Sequence, residues 1–314
     1  MENELMFSII VPVYNEQHSL AGLHKEIVET MNSLKNNFEI IFVNDGSIDG
    51  TLEELKILSP IKIINFRRNF GQTSALDAGI KMAAGKYLIT MDGDGQNNPI
   101  DIPKLFDKLI RDDLDLVSGW RKDRKDKFSK KFFSKVIARL RKFLINDGIS
   151  DSGCTLKIYK KECFDTLNLY GEMHRFIPAI LKIRGFKMGE IEVSHRPRLS
   201  GKTKYTWRRG VKGVLDLFSV WFWYKYVQRP LHLFGGLGIS LILLSFVSGV
   251  FVIYLKFFKN QSLSDTVLTD LTLFGFFIGV LLLVFGLMSD ILARTYFNTA
   301  QRRPYNIKEI IENK

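Results

Sequence analysis

Two uninterrupted apolar runs constrain everything else about this chain. From Leu231 to Leu255 the sequence reads LHLFGGLGISLILLSFVSGVFVIYL, and from Leu271 to Ser289 it reads LTLFGFFIGVLLLVFGLMS, with no aspartate, glutamate, lysine or arginine in either. Crossing the hydrocarbon core of a bilayer takes ~20 apolar helical residues, and both runs are near that length. Buried helices of a soluble core are the alternative, but the short polar link Lys256 to Asp270 and the segment after the second run are too small to cover them. Residues 231–293 are therefore expected to form a two-helix transmembrane anchor. Arg294, Arg302, Arg303 and Lys308 follow the second run and a basic region precedes the first, so the positive-inside bias puts both termini in the cytoplasm. The opening residues, MENELMFSIIVPVYNE, lack a basic stretch followed by a long apolar one, which predicts no cleavable signal and a cytoplasmic first domain.

Ahead of the anchor, short β-branched runs alternate with segments of helical period. Ser8 to Val13, Phe38 to Val43, Ile61 to Phe66 and Tyr87 to Met91 read as strands, with helices expected at about residues 16–35, 50–58 and 72–84. The alternation predicts an α/β fold, a mostly parallel sheet flanked by helices in the Rossmann-like manner. Such sheets bind ligands beyond the carboxyl ends of their strands, where this chain carries Glu16, Asp45, Asp92 and Asp94. No GxGxxG follows the first strand, which argues against a dinucleotide. Ser200-Gly201-Lys202-Thr203 ends like a P-loop, but Arg196 stands where the earlier glycine is required. Cys154 and Cys163 suffice neither for a disulfide framework nor for a four-ligand zinc site, and are expected as reduced thiols.

The densest chemistry lies in Met91-Asp92-Gly93-Asp94-Gly95-Gln96. Two carboxylates one residue apart at a strand end come near one another where the backbone turns, and the glycines permit the turn. Their oxygens, with the amide oxygen of Gln96, are hard donors that suit Mg2+ or Mn2+ bridging a diphosphate rather than zinc. An Asp-x-Asp after a strand is equally at home in an ordinary turn, so context decides.

That context resembles the family 2 glycosyltransferases of GT-A fold, in the branch of dolichyl-phosphate mannose synthase and the bacterial polyprenyl-phosphate glycosyltransferases. The resemblance rests on IIVPVYNE (9–16), VNDGSIDGT (43–51), RRNFGQTSALDAGIKMAAGKY (67–87), MDGDGQ (91–96), GWRKDR (119–124), DSGCTLKIYK (151–160), EMHRF (172–176) and HRPRLSGKTKY (195–205), in order and followed by two spans. It implies an inverting, metal-dependent transfer of a sugar from a nucleotide sugar to the phosphate of undecaprenyl or dolichyl phosphate at the cytoplasmic membrane face. UDP-glucose or UDP-GlcNAc is the implied donor, ahead of GDP-mannose and UDP-glucuronate. Pro12, Tyr14, Glu16 and Asp45 match positions that hold base and ribose, although for Asp45 an Asx-turn in NDGSIDG is the plain alternative. Asp92 matches the nucleotide-sugar contact, and Asp94 with Gln96 the metal ligands. Arg121, Arg124, Lys131, Arg198 and Lys202 match acceptor-phosphate positions. His174 and Arg175 match residues closing over the diphosphate, a structural role being the equal alternative. Asp151, counted with Asp92 as catalytic, matches the base; an acceptor phosphate is already anionic, so Asp151 fits an orienting acid as well. One departure is Asp-Gly-Asp where the family often has Asp-Ala-Asp.

The net charge of +12 is unevenly spread: residues 1–118 hold 11 Lys+Arg and 18 Asp+Glu (−7), residues 119–230 hold 27 and 10 (+17), and residues 231–314 hold 7 and 5 (+2). Within the basic third, Gly119 to Asp147 and Trp207 to Tyr226 place apolar side chains at helical spacing among cations, as amphipathic interfacial helices on anionic membrane lipid do. A nucleic-acid partner is not expected, since that basic surface lies against the anchor. A processive polysaccharide synthase would carry QxxRW and more spans; here Trp207-Arg208-Arg209 lacks the glutamine. The chain thus divides into a nucleotide-sugar and metal half (1–118), an acceptor half (119–205), a juxtamembrane region (206–230), the anchor (231–293) and a cytoplasmic tail (294–314). Gly235, Gly236, Gly238, Gly275 and Gly279 give the spans small faces for helix packing, including that of a homo-oligomer.

Overall fold

The computed structural model describes residues 5–122, 148–151, 153–165, 167–169, 171–196, 222, 226, 230–259, 267–299 and 307–313. Its chain forms two compact units, Met1–Phe218 with Arg303–Lys314, and Ser219–Arg302.

The first unit is built on one eight-stranded sheet. Its strands are β1 (Phe7–Val13), β2 (Phe38–Asn44), β3 (Ile61–Phe66), β4 (Tyr87–Thr90), β5 (Leu116–Trp120), β6 (Lys157–Lys160), β7 (Met188–Glu192) and β8 (Ile307–Asn313), in the order β7-β5-β6-β4-β1-β2-β3-β8. The pairs β1·β2, β1·β4, β2·β3 and β5·β7 are parallel, while β6 is antiparallel to β4 and β5, and β8 to β3. The sheet is flanked by α1 (Leu20–Ser33), α2 (Thr51–Lys56), α3 (Gln72–Met82), α4 (Ile102–Arg111) and α5 (Ile177–Ile183). Strand β1 is buried along its whole length, as a continuous apolar run in the middle of a covered parallel sheet must be. Phe7, Ile9 and Val11 face a core shared with Leu23, Ile27 and Met31 of α1 and Leu105 and Leu109 of α4. Ile10 faces the opposite core with Ala75, Leu76 and Ile80 of α3 and Leu181 of α5. Pro12 fits inside this strand because the β1·β4 register stops at Ile10↔Thr90, so the amide hydrogen it lacks has no strand opposite.

The last strand is a departure from the sequence reading. Residues 307–313, read only as part of a tail, pair antiparallel with β3 from Ile61↔Asn313 to Phe66↔Ile307. Asn313 Nδ2 donates to Lys56 O (2.9 Å) and Lys62 Nζ pairs with Glu312 (3.0 Å). The sequence IKEIIEN mixes charged and apolar side chains, as an edge strand with one covered face does.

The second unit is a helix pair, α6 (Pro230–Lys259) and α7 (Val267–Thr299), each long and apolar enough to cross a membrane, α7 over Val267–Leu292. Phe246, Phe257, Phe274 and Leu292 point outward. The seam between the helices is made by glycine: a Cβ on Gly238 would lie 2.6 Å from Gly279 O, so the backbones meet where no side chain fits. Of the two stretches expected as interfacial helices, residues 123–147 lie outside the described residues, and of 207–226 only Phe222 and Tyr226 are described.

Candidate active site

The site residues converge because strand direction brings them to one edge. Strands β1, β2, β4 and β5 point the same way, so Pro12 to Glu16, Asp45, Asp92 and Arg121 all emerge at one end of the sheet, where antiparallel β6 begins with Lys157. A small cleft there is lined by Pro12, Gln72, Asp92, Thr155, Lys157 and His174, with Leu76, Thr90, Met91, Tyr159 and Ile177 beneath.

Asp92 is the pivot of this cleft. Gln72 Nε2, in the first turn of α3, donates to Asp92 Oδ1 at 2.7 Å. Burial first, and then the charge of Asp94, push the Asp92 carboxyl up to about 6, against smaller opposing effects from Thr155, Lys157 and Arg121. Asp94 is 6% exposed, and its Oδ1 accepts the Gln96 N–H at 3.1 Å. Gly93 sits between them because a Cβ there would lie 2.5 Å from Val13 Cγ1. The turn thus sets two carboxylates near enough to repel, beside a carboxamide. Hard oxygen donors carrying like charge side by side are what a divalent cation satisfies, so these residues fit Mg2+ or Mn2+. Among the described residues no cluster of three or more His, Cys, Asp or Glu forms a self-sufficient metal cage.

Asp45 is 3% exposed, and its Oδ1 and Oδ2 accept the N–H groups of Phe70 and Gly71 at 2.7 and 3.0 Å. Burial raises its carboxyl above the usual range, and the two amides offset part of that. Its side chain therefore holds the β3–α3 loop rather than closing a local Asx-turn. Tyr14 and Glu16 are half-buried in the β1–α1 loop, with the Glu16 N–H donating to Thr51 Oγ1 (3.0 Å).

Arg121 and Asp151, read separately as phosphate anchor and base, are bound to each other. Arg121 Nε reaches Asp151 Oδ2 at 2.7 Å and Nη2 reaches Oδ1 at 3.1 Å, with side chains 12% and 10% exposed. The Gly153 N–H also donates to Asp151 Oδ1 (3.2 Å). His174 reaches the cleft, where its Nδ1 shares a hydrogen bond with Thr73 Oγ1 at 2.6 Å. Arg175 instead pairs with Glu172 at 3.3 Å. Arg124, Lys131, Arg198 and Lys202 lie outside the described residues.

Three site residues escaped the sequence reading. Lys157 is 3% exposed, donates to Cys154 O, and has its ammonium destabilised by burial against the support of Asp151 and Asp92. Thr155 accepts from Asn97 Nδ2 (2.7 Å) and Gln72 orients Asp92. All three stand in quoted motifs, but nothing in a motif string tells which of its members face a cleft.

An α/β sheet that gathers a carboxylate turn and buried cations at the carboxyl ends of its strands has the build of a nucleotide-sugar-dependent transferase. Comparison with known proteins agrees. The Glycosyl transferase family 2 profile matches residues 8–167, and the chain belongs to that family; it is a glycosyltransferase. The dodecaprenyl-phosphate galacturonate synthase of Rhizobium johnstonii is 35% identical, over 98% of this chain and 94% of that protein. The undecaprenyl-phosphate 4-deoxy-4-formamido-L-arabinose transferase of Proteus mirabilis is 30% identical, over 97% and 93%. Among solved structures, glucosyl-3-phosphoglycerate synthase from Mycobacterium tuberculosis, in complex with Mn2+ and uridine-diphosphate-glucose, matches with a TM-score of 0.56 at 15% identity, covering 69% of this chain and 79% of that one. Mannosyl-3-phosphoglycerate synthase from Rubrobacter xylanophilus matches with 0.58 at 14%, covering 69% and 74%. These two share the fold, the GT-A arrangement expected from the sequence.

Proposed function

We propose that this enzyme transfers a sugar from a nucleotide sugar to the phosphate of a polyprenyl phosphate held in the membrane, at its cytoplasmic face and with inversion at the anomeric carbon. The observation that carries the reading is the meeting, at one sheet end, of the Asp92–Asp94 turn with the cations Arg121 and Lys157, in a chain that also carries two membrane-length helices. The acceptor named in both relatives is a polyprenyl phosphate, which supports the same assignment here.

A phosphate oxygen of the acceptor forms the new bond to the anomeric carbon as the bond to the nucleotide diphosphate breaks, and the diphosphate leaves with the electron pair. The nucleophile is anionic at neutral pH, so no proton has to be removed, and positioning dominates. Arg121 gives Nε and one Nη2 hydrogen to Asp151, which orients the guanidinium rather than taking a proton and leaves its other edge, Nη1 with the second Nη2 hydrogen, for that phosphate. Pro12, Tyr14, Glu16 and the loop held by Asp45 receive the nucleoside, and His174 lies at the diphosphate. Asp92, Asp94 and Gln96 would hold Mg2+ or Mn2+, whose bound charge neutralises the leaving diphosphate. Arg124, Lys131, Arg198 and Lys202 remain assigned to the acceptor on the sequence resemblance, and the remaining basic residues to membrane lipid.

The relatives' sugars widen the donor choice to uronic acid and 4-deoxy-4-formamido-pentose types beside UDP-glucose, UDP-GlcNAc, UDP-glucuronate and GDP-mannose. Membranes containing the protein, incubated with labelled members of that panel with and without EDTA, should yield one labelled, extractable lipid that EDTA and Asp94→Ala both suppress. Full transfer by Asp94→Ala, or no lipid product from any donor, would overturn the assignment.

A further inference from the structure

The carboxyl ends of β2 and β3 carry two asparagines where a sheet interior ordinarily carries apolar side chains. Asn44 is 1% exposed and Asn65 4%, and they stand opposite each other, with Glu309 of β8 opposite Asn65 on the far side. Asn65 Nδ2 donates to Glu309 Oε1 at 2.9 Å, and Asn44 Nδ2 donates to Asn65 Oδ1 at 2.9 Å. The Ser47 N–H donates to Asn44 Oδ1 at 3.2 Å, and Ser47 Oγ accepts the Asn15 N–H at 3.0 Å. Asn15 Oδ1 accepts the Ile48 N–H in turn (2.9 Å).

Every bond from Ser47 to Glu309 points the same way, so the row polarises cumulatively and ends on a carboxylate, the strongest acceptor a side chain offers. Each amide is fixed by its neighbours: flipping Asn44 would turn its NH2 toward the Ser47 N–H. Burying polar side chains is costly unless all are satisfied, and apolar residues would hold three strands together at least as well. The row's distinctive effect is directional. It fixes the β2–α2 loop after Asp45, and through Ser47 and Asn15 the β1–α1 loop that carries Tyr14 and Glu16.

We infer that Glu309, in the strand that follows the membrane helices, is a positioning residue for the nucleotide-sugar pocket, acting through Asn65 and Asn44 on the two loops that receive the nucleoside. The inference rests on the proposed donor site. It makes β8 part of the donor pocket's construction although none of its described side chains lines the cleft.

The test compares Glu309→Leu, Glu309→Gln and Glu312→Gln in the full-length, detergent-solubilised protein. Glu309→Leu removes the terminal acceptor, Glu309→Gln keeps an oxygen at that place, and Glu312→Gln removes only the ion pair with Lys62 on the same strand. Glu309→Leu should raise the donor KM about tenfold, the scale of one lost charge-assisted hydrogen bond, with kcat and acceptor KM within about twofold. Hydrogen exchange at residues 45–51 should quicken in the same variant. Glu309→Gln, which keeps an acceptor but loses the charge, should raise the donor KM less than about threefold, and Glu312→Gln should match the unsubstituted protein in both readouts. Unchanged donor KM and unchanged exchange in Glu309→Leu would overturn the inference, as would Glu309→Gln or Glu312→Gln behaving like Glu309→Leu, which would make strand pairing the cause. If the unsubstituted protein transfers no sugar to lipid, the proposed function fails by itself, and the exchange arm still decides whether Glu309 orders the loop.

Discussion

Separating Arg121 from Asp151 gives the sharpest test of how the site is held. Their pair is bidentate, at 2.7 and 3.1 Å, and each side chain keeps only about a tenth of its surface in solvent, 12% and 10%. Deleting one partner of a buried pair strands the other's charge, at a cost of about 3–5 kcal/mol. For a unit of this size ~1 kcal/mol moves a thermal midpoint by about 2–4 °C, so Asp151→Leu should melt roughly 6–20 °C lower. Arg121→Met should fall comparably, since it strands Asp151. The double variant should melt above either single one, because no uncompensated charge remains and two apolar side chains fill the space. Thermal unfolding of the detergent-solubilised full chain, followed by tryptophan fluorescence at one scan rate, reads all three. Two single variants within about 2 °C of the unsubstituted protein, or a double variant at the sum of both losses, would refute the reasoning. Activity adds a second reading. A catalytic base is worth about 10²–10⁴ in rate, so an Asp151→Asn variant, which keeps an oxygen toward Arg121, should lose less than about 100-fold if Asp151 only orients the guanidinium.

Other outcomes follow from the same cleft. Asp92, held at about 6 against an ordinary 3.8, binds its proton more tightly folded than unfolded, so its contribution to stability is greatest below the unfolded value and is lost as pH rises through about 6. In EDTA the unfolding free energy of the unsubstituted protein should therefore fall relative to Asp92→Asn between pH 4 and 7, by about 3 kcal/mol; a gap that moves the other way would contradict the sign. Lys157→Met removes a buried charge and its desolvation cost, so stability should change little, whereas donor kcat/KM should drop about tenfold or more and the acid limb of the pH–rate profile should move up as Asp92 loses a cation. Gly93→Ala pushes a methyl to 2.5 Å from Val13 Cγ1 and should cost about 1–3 kcal/mol, visible as a lowered midpoint.

What the sequence made legible was whatever has a local cause. Strand β3 runs Ile61–Phe66 as expected, and β1, β2 and β4 differ from expectation by one residue each, because a covered parallel strand must be apolar on both faces and so announces itself as a run. The membrane helices were equally plain. Strands β6 and β7 were not: KIYK and MGEIE are short and charged, and their places are fixed by partners far away in sequence, β4 and β5. Strand β8 is the extreme case, since IKEIIEN pairs with residues some 240 positions earlier, across two long helices. No periodicity carries that information.

The site divides along the same line. Asp92, Asp94 and Asp45 were legible because acids after strands fall at the sheet's carboxyl end whatever the rest of the fold does. The partners that decide what those acids do were not. Asp45 is occupied by the amides of Phe70 and Gly71, Asp92 by Gln72, and Asp151 by Arg121, each contact spanning at least 20 residues of sequence. Asp45 is thus a loop holder beside its proposed nucleoside contact, and for Asp151 the contact favours the orienting role over that of a base. The opposing charge the sequence split between an acidic first third and a basic middle third meets at the cleft, where Arg121 and Lys157 sit close enough to lower the proton affinity of Asp92. On the proposed reaction, a site that admits one phosphate nucleophile and releases a diphosphate needs that adjacency. Carboxylates alone would repel both, and cations alone would hold the product.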